Sequence, residues 1–314
     1  MPDLQRGHAK RPMRFKGLDL NLLVALDALL MERNVSAAAR KLFMSQSAMS
    51  GALARLREHF QDELLVPQGK RMVLTAAAEG LTAPVRRLML QIESTVSGGP
   101  GFDPLTTRRS FIVHASDYIS EVVLTRLAIR LADEAPGIAL EIVPPLSDPA
   151  SCLENGSVDI LITPEAYASA NHPAELLYEE EHVLVGWSGN PALATAPSAD
   201  TYFGMSHVAV QFPQSRAKPI AETEIARFGR ARRVELIAPS FTSVPKFLVG
   251  TRRVSVMHRR LALIYARTLP LVIHPLPFTL PPLREVVQHH EVRTTDLSLA
   301  WLRARLHESA QLID

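Results

Sequence analysis

Apolar residues at three- and four-residue intervals run through Leu18, Leu20, Leu22, Leu23, Leu26, Leu29 and Leu30, the stripe of an amphipathic first helix. From Val35 to Ser50 the pattern reads as two short helices joined by a tight turn. Ser36 stands before the run Ala37-Ala38-Ala39, where a hydroxyl can cap the first helix, and Leu42 and Phe43 close it with apolar bulk. Ser45 is placed to cap the second helix. There Met49, Leu53, Leu56 and Phe60, with Ala52 alongside, form an apolar stripe, and Ser47, Ser50, Gly51, Ala54, Arg57 and Glu58 face away. Leu64-Leu65-Val66 and Met72-Val73-Leu74 then predict two short strands around Pro67-Gln68-Gly69-Lys70, a hairpin with a cationic tip.

The second helix opens on small or polar side chains, so no bulk prevents its first turns from entering a DNA major groove. Gln46 can pair with an adenine edge, and Ser47 and Ser50 can bond bases or phosphates. Ser36 and Ser45, at the helix openings, are counted with this face. Arg55 and Arg57 lie further along, placed for phosphates, which position a protein without carrying sequence information. Lys70 and Arg71 at the hairpin tip would meet the backbone or minor groove. Taken alone, the pair from Val35 to Ala54 is also compatible with a plain helical hairpin bearing a solvated face.

Downstream of Thr75, which can cap it, a helix is expected over 76–97. Leu81, Val85, Leu88, Ile92 and Val96 fall on one side, and Pro84 inside should produce a local kink. Ser97-Gly98-Gly99-Pro100-Gly101 reads as a linker. From Arg109 onward strands alternate with helices: Phe111 to His114, a helix from Ile119 to Ala132, Ala139 to Val143 and Val158 to Ile162. A second series runs from His182-Val183-Leu184-Val185-Gly186 to Leu271-Val272-Ile273, and Leu297 to Leu302 forms a last helix. This alternation predicts α/β architecture with parallel sheets and ligand space at the strand ends. Ser116 and Asp117 follow the first strand and open a helix, and Pro164 ends the third strand. His207 precedes Val208-Ala209-Val210. Ser240, Phe241 and Thr242 stand at a helix start, where amides favour an anion or phenolate.

Residues 13–75 resemble the DNA-binding domain of LysR-type transcriptional regulators. The opening Met13-Arg14-Phe15-Lys16-Gly17-Leu18-Asp19-Leu20-Asn21-Leu22-Leu23 is similar to one branch, the flavonoid-responsive nodulation regulators and the salicylate-responsive regulators of naphthalene breakdown. The family's usual Ser-Gln-Pro-Ala stands here as Ser45-Gln46-Ser47-Ala48, a hydroxyl in place of a preset dihedral. The resemblance implies an N-terminal winged helix-turn-helix (13–75), a linker helix that pairs subunits (76–97), and a periplasmic-binding-protein-like effector domain (103–314). Its two α/β lobes, about 103–177 with 278–314 and about 178–277, would be crossed by the chain near residues 178 and 277. It further implies a cytoplasmic activator, dimeric or tetrameric, that binds double-stranded promoter DNA, contacts RNA polymerase and responds to a small aromatic co-inducer without a cofactor. A repressor or autoregulator with a non-aromatic effector is the alternative within the family. Ser116, His207, Phe241 and Thr242 would surround the effector. His290 matches a Trp-His pair of the branch, whereas His289 departs from it.

Composition narrows the picture only in places. Residues 1–75 hold 12 Lys/Arg against 7 Asp/Glu, a net of +5, while the whole chain carries +2, so the remainder is at −3. The basic end is where a polyanion would bind. With one cysteine, Cys152, neither an intramolecular disulfide nor a cysteine-rich metal site can form. Adjacent His289 and His290 rarely converge on one ion and no third ligand is apparent, so no metal is expected. No apolar run is long enough for a membrane span and the N-terminus lacks a signal-peptide core. Residues 1–12 are expected to be disordered, and translation could begin at Met1 or Met13. An enzyme would need a catalytic constellation. Gly186-Trp187-Ser188-Gly189 lacks the spacing of a nucleophile elbow, and Gly69-Lys70 lacks the first glycine of a phosphate loop. A pure small-molecule binder would leave the first domain unused.

Overall fold

The computed structural model describes residues 18–98, 101–145, 147–213 and 218–311. The expected extension 1–12, residues 13–17 of the branch-like opening, and Gly99-Pro100 of the linker lie outside the described residues. The chain divides into two compact units, residues 1–93 and 94–314.

In the first unit α1 (Leu20–Glu32), α2 (Val35–Lys41) and α3 (Gln46–Phe60) are followed by β1 (Leu65–Gln68), β2 (Arg71–Leu74) and most of α4 (Ala76–Gly98), whose last turn belongs to the second unit. Leu26, Leu29, Met49 and Leu56 form its fully buried centre, closed by Leu64, Leu65 and Leu74. α2 is capped by Asn34, whose Oδ1 accepts from Ala37 N at 2.9 Å, and not by Ser36, which sits inside the first turn. Ser45 caps α3 through Ala48 N, and Thr75 caps α4 through Ala78 N, each at 3.1 Å. Leu20 and Phe43 depart from expectation. Leu20 is half exposed, and Phe43 occupies the left-handed turn between α2 and α3 (φ 54°) with its ring 99% exposed. The hairpin turns at Gly69, φ 63°, a conformation that glycine adopts without cost. α4 runs through Pro84 and directs Ala78, Val85 and Met89 inward. Leu88 and Val96, expected on the same side, are exposed.

The second unit begins with β3 (Arg109–His114), α5 (Asp117–Ile119), a π turn at Ser120–Leu124 and α6 (Thr125–Glu134). The helix expected from Ile119 thus starts two residues earlier and is interrupted. β4 (Ile138–Val143), α7 (Pro149–Glu154), β5 (Ile160–Pro164) and β6 (Ala174–Glu180) follow. β7 (His182–Trp187), α8 (Ala199–Gly204), β8 (Ser206–Val210), α9 (Ile220–Ala226), β9 (Arg233–Ala238), α10 (Val244–Leu248), β10 (Val254–His258), α11 (Arg259–Ala266) and β11 (Leu271–Pro275) come next. β12 (Leu283–Gln288) and α12 (Leu297–Gln311) close the chain.

Two five-stranded sheets result, in the orders β4-β3-β5-β12-β6 and β11-β7-β10-β8-β9. Neither is wholly parallel. β3 is parallel to β4 and β5, and β8 to β9 and β10, but β12 and β7 run antiparallel to their neighbours. These reversed strands are the ones that carry the chain between lobes. Passage outward occurs at Glu181, between β6 and β7, and the return runs through 276–282. β6 therefore belongs to the first lobe, which moves the expected crossing from residue 178 to Glu181.

Candidate nucleic-acid interface and inter-lobe cavity

Burying Met49, Leu53 and Leu56 leaves the opposite face of α3 to solvent: Gln46, Ser47, Ser50, Gly51, Ala54 and Arg55 are exposed. The hydroxyls of Ser45 and Ser47 lie 3.0 Å apart, so the serine at the family's proline position reinforces the helix opening. Arg55 keeps an exposed contact to Asp19 at 3.4 Å that a phosphate could displace. Lys70 and Arg71 are exposed at the hairpin tip. Arg57 is different. Its Nε donates to Glu63 O at 2.8 Å and its Nη2 to Leu65 O at 2.9 Å. The expectation of a phosphate contact there is corrected: the guanidinium spans the α3–β1 connection, because the loop carbonyls come within its reach.

In the second unit the C-terminal ends of β3, β5, β8 and β10 converge on a cavity of about 340 Å³ between the two lobes. Aromatic and proline walls (Phe212, Phe241, Tyr167, Pro145 and Pro149) enclose it, and Ser116 and Pro164 line it as well. The other candidate effector residues lie elsewhere. His207 is fully buried inside the second lobe, where its Nε2 lies 3.0 Å from Tyr202 O and its ring meets the Tyr202 ring edge to face. Asp117 and Thr242 bind each other: Asp117 Oδ2 accepts both the N–H and the hydroxyl of Thr242, each at 2.7 Å. The amide expected to receive an anion is thus filled by the protein's own carboxylate. Ser240 donates to Ser243 Oγ at 2.9 Å. His290 is buried in the first lobe and does not line the cavity. Contrary to the expectation that it lacks partners for a metal, it lies beside Glu154 and His172.

Sequence reasoning missed the polar lining. His114, His182, His258 and Glu285 all border the cavity. Register explains why they meet. His182 and His258 are cross-strand partners in β7 and β10, and Glu285 of β12 lies between Pro164 of β5 and Tyr178 of β6. His258 stacks on Tyr118 of the first lobe, ring centroids 3.9 Å apart, and Phe241 packs edge-on against His258 at 4.6 Å. Tyr118 donates to Glu180 at 2.5 Å and accepts from Tyr178 at 2.9 Å. Burial holds His182 down to about 4 and His258 well below the usual histidine range. Glu285 is pushed up to about 8, by burial first and by Glu180 second. Near neutrality the deep wall is therefore uncharged, with imidazoles and a protonated carboxylic acid. His182 Nδ1, His258 Nδ1 and Glu285 Oε2 are buried without a hydrogen-bond partner among the described residues. Only the expectation that strand ends form the pocket pointed this way. Buried histidines that meet on paired strands far apart in sequence carry no sequence signature.

A winged helix-turn-helix, followed by a two-lobed α/β domain with a cavity at the strand ends, defines a ligand-responsive DNA-binding regulator. Residues 20–79 match the family model described as bacterial regulatory helix-turn-helix protein, lysR family. Over 298 residues the chain is 40% identical to nodulation protein D 2 of Bradyrhizobium diazoefficiens, covering 95% of this chain and 90% of the relative. It is 41% identical over 301 residues to nodulation protein D 2 of Rhizobium tropici, covering 96% of each. Among solved structures, a probable transcriptional regulator from Pseudomonas aeruginosa is 31% identical with a TM-score of 0.62, covering 94% of this chain and 98% of that one. A full-length OxyR variant from Pseudomonas aeruginosa reaches a TM-score of 0.71 at 15% identity, covering 94% and 95%, which is a likeness of fold alone. The chain belongs to the LysR family of bacterial transcriptional regulators, in the branch of the nodulation D proteins. It is a DNA-binding transcription regulator of a family whose members bind small-molecule effectors and form oligomers. Among the described residues no helix is long and apolar enough to cross a membrane.

Proposed function

We propose that this regulator is a cytoplasmic activator. It binds promoter DNA as a dimer or dimer of dimers and changes its contact with RNA polymerase when an uncharged, hydroxylated aromatic enters the inter-lobe cavity. The observation that carries this reading is the set of unpartnered polar atoms, His182 Nδ1, His258 Nδ1 and Glu285 Oε2, set among aromatic walls. Buried polar groups cost free energy until paired, so a ligand supplying hydroxyls gains there what water-filled competitors do not. A cavity of about 340 Å³ lies at the small end of the range usual for small-molecule sites, roughly 300–1,000 Å³. Ser116, Pro164 and Phe241 would contact the ring system, with His182, His258 and Glu285 bonding its hydroxyls. Relatives named nodulation protein D favour a flavonoid-like member of this class. A carboxylate such as salicylate would face the Glu285 carboxyl group, leaving Lys218 at the rim as its counter-charge.

Thermal-shift titration of the full chain against a hydroxylated flavone, hydroquinone and salicylate tests this. The neutral phenols should raise the melting temperature at concentrations about tenfold lower than salicylate does. Binding of carboxylates alone, or of none of the three, would overturn the assignment. The DNA face is read separately: Gln46, Ser47 and Ser50 would contact bases, while Ser36, Ser45, Arg55, Lys70 and Arg71 would hold phosphates.

A further inference from the structure

We propose that Glu154, His172 and His290 form a binding site for a borderline divalent transition ion such as Zn²⁺. One ligand atom from each lies within 4.8 Å of the others. They come from three separate elements of the first lobe: the last residue of α7, the loop before β6 and the turn after β12. Two imidazoles and a carboxylate, with a fourth position left for water, are a donor set that suits such an ion.

The His172 side chain is 2% exposed, and Glu154 Oε2 stands 2.9 Å from its Nε2. That contact is misaligned for a hydrogen bond, and neither ring nitrogen has a hydrogen-bond partner among the described residues. A buried imidazole with both nitrogens unsatisfied is costly unless something accepts a lone pair. The ring also lies 4.6 Å from the His290 ring, with planes tilted by 42°.

The scaffold around it is held in place. Gln288, fully buried, donates to Ser169 O at 2.8 Å and His172 O at 3.2 Å, and accepts from Ser169 N at 2.8 Å. The loop carrying His172 is thereby clamped to the strand that leads into His290, the kind of outer support that fixes a ligand set. Ligand atoms of a tetrahedral zinc with bonds of about 2.0–2.2 Å lie roughly 3.4 Å apart. Ligand atoms within 4.8 Å of one another are near that spacing, and Glu154, whose side chain is 40% exposed, can shift to reach it and leaves an entry path. His290 Nδ1 accepts from Val292 N at 3.2 Å, so coordination through that nitrogen costs one neutral hydrogen bond. Asp148, Pro149 and Ala150, at or just before the start of α7, line the effector cavity. An ion at Glu154 would therefore tie the far end of a cavity-wall helix to β6 and β12.

Zinc titration of the full chain, read by calorimetry and melting temperature, tests the site, with magnesium as the hard-cation control. The expected result is one tight site per chain, a melting temperature raised by several degrees and reversed by chelator, and no response to magnesium. Glu154→Gln should weaken binding by about tenfold or more, and His172→Asn should abolish it. Four-coordinate Co²⁺ bound in zinc's place should give visible absorption bands that both variants diminish. If His172→Asn does not fold, Glu154→Gln, at a half-buried position, still decides. Equal zinc affinity in wild type and Glu154→Gln, or no binding at millimolar zinc, overturns the proposal.

Discussion

Asp117 Oδ2 receives both the backbone N–H and the hydroxyl of Thr242, each at 2.7 Å, across the boundary between the two lobes. The residue next to Thr242 is Phe241, which walls the cavity, so this contact links lobe closure to the effector site. Asp117→Ala strands a part-buried donor pair. It should lower unfolding free energy by about 1–3 kcal/mol and weaken effector binding in the same protein. Urea melts and a binding isotherm measured on one preparation check it; unchanged values in both would rule the clamp out.

Glu285 and the buried histidines impose opposite pH dependences. Glu285 stays protonated in the folded chain to about 8, above its unfolded value, so the folded state holds the extra proton and stability falls as pH rises from about 4.5 to 8. Glu285→Gln keeps the neutral shape. Its unfolding free energy should gain on wild type progressively over that interval, by up to a few kcal/mol. His182 and His207, both held to about 4, act the other way, and stability is lost as pH falls from about 6.5 toward 4. Parallel wild-type and Glu285→Gln profiles would show that the carboxyl group is ionised when folded.

Base reading and phosphate anchoring should separate on the DNA-binding unit. Gln46→Ala should cost about 1–3 kcal/mol of operator affinity and relax preference at one base pair, with the salt slope unchanged. Lys70→Ala should weaken binding to all sequences alike and reduce the salt slope by about 1. Gel-shift titrations at several salt concentrations distinguish the two.

Arg57 should behave as a structural residue. Removing its bonds takes the guanidinium from Leu65 O and leaves Glu63 O with only its bond from Leu65 N. Arg57→Ala is expected to destabilise the winged unit by about 1–3 kcal/mol, with a salt slope close to wild type once folded protein is counted. A slope reduced by about 1 at wild-type stability would return Arg57 to the phosphate contacts.

The local pattern alone determined the parts whose physics is local. Apolar period, the Ser45 and Thr75 caps, and the glycine turn at Gly69 each act within a few residues, so the helix-turn-helix and its hairpin were legible in order. Ser36 failed because Asn34, two residues earlier, supplies the cap, and Leu20 failed because a periodic stripe overruns the surface actually covered. In the second unit the alternation of strands and helices was legible, but which strands reverse was not. Direction is decided by pairing partners far apart in sequence, as where β12 returns between β5 and β6. The cavity chemistry followed from that return. Tertiary structure placed Glu285 beside Glu180 in a dry interior, removed its charge, faced it with His182 and His258, and turned the predicted effector residues Asp117, His207 and Thr242 to internal bonds. It also brought Glu154 and His172 to His290. A sequence states what each side chain can do. Only the register of distant strands decides which side chains share a low-dielectric space, and burial there decides which of them keep a charge.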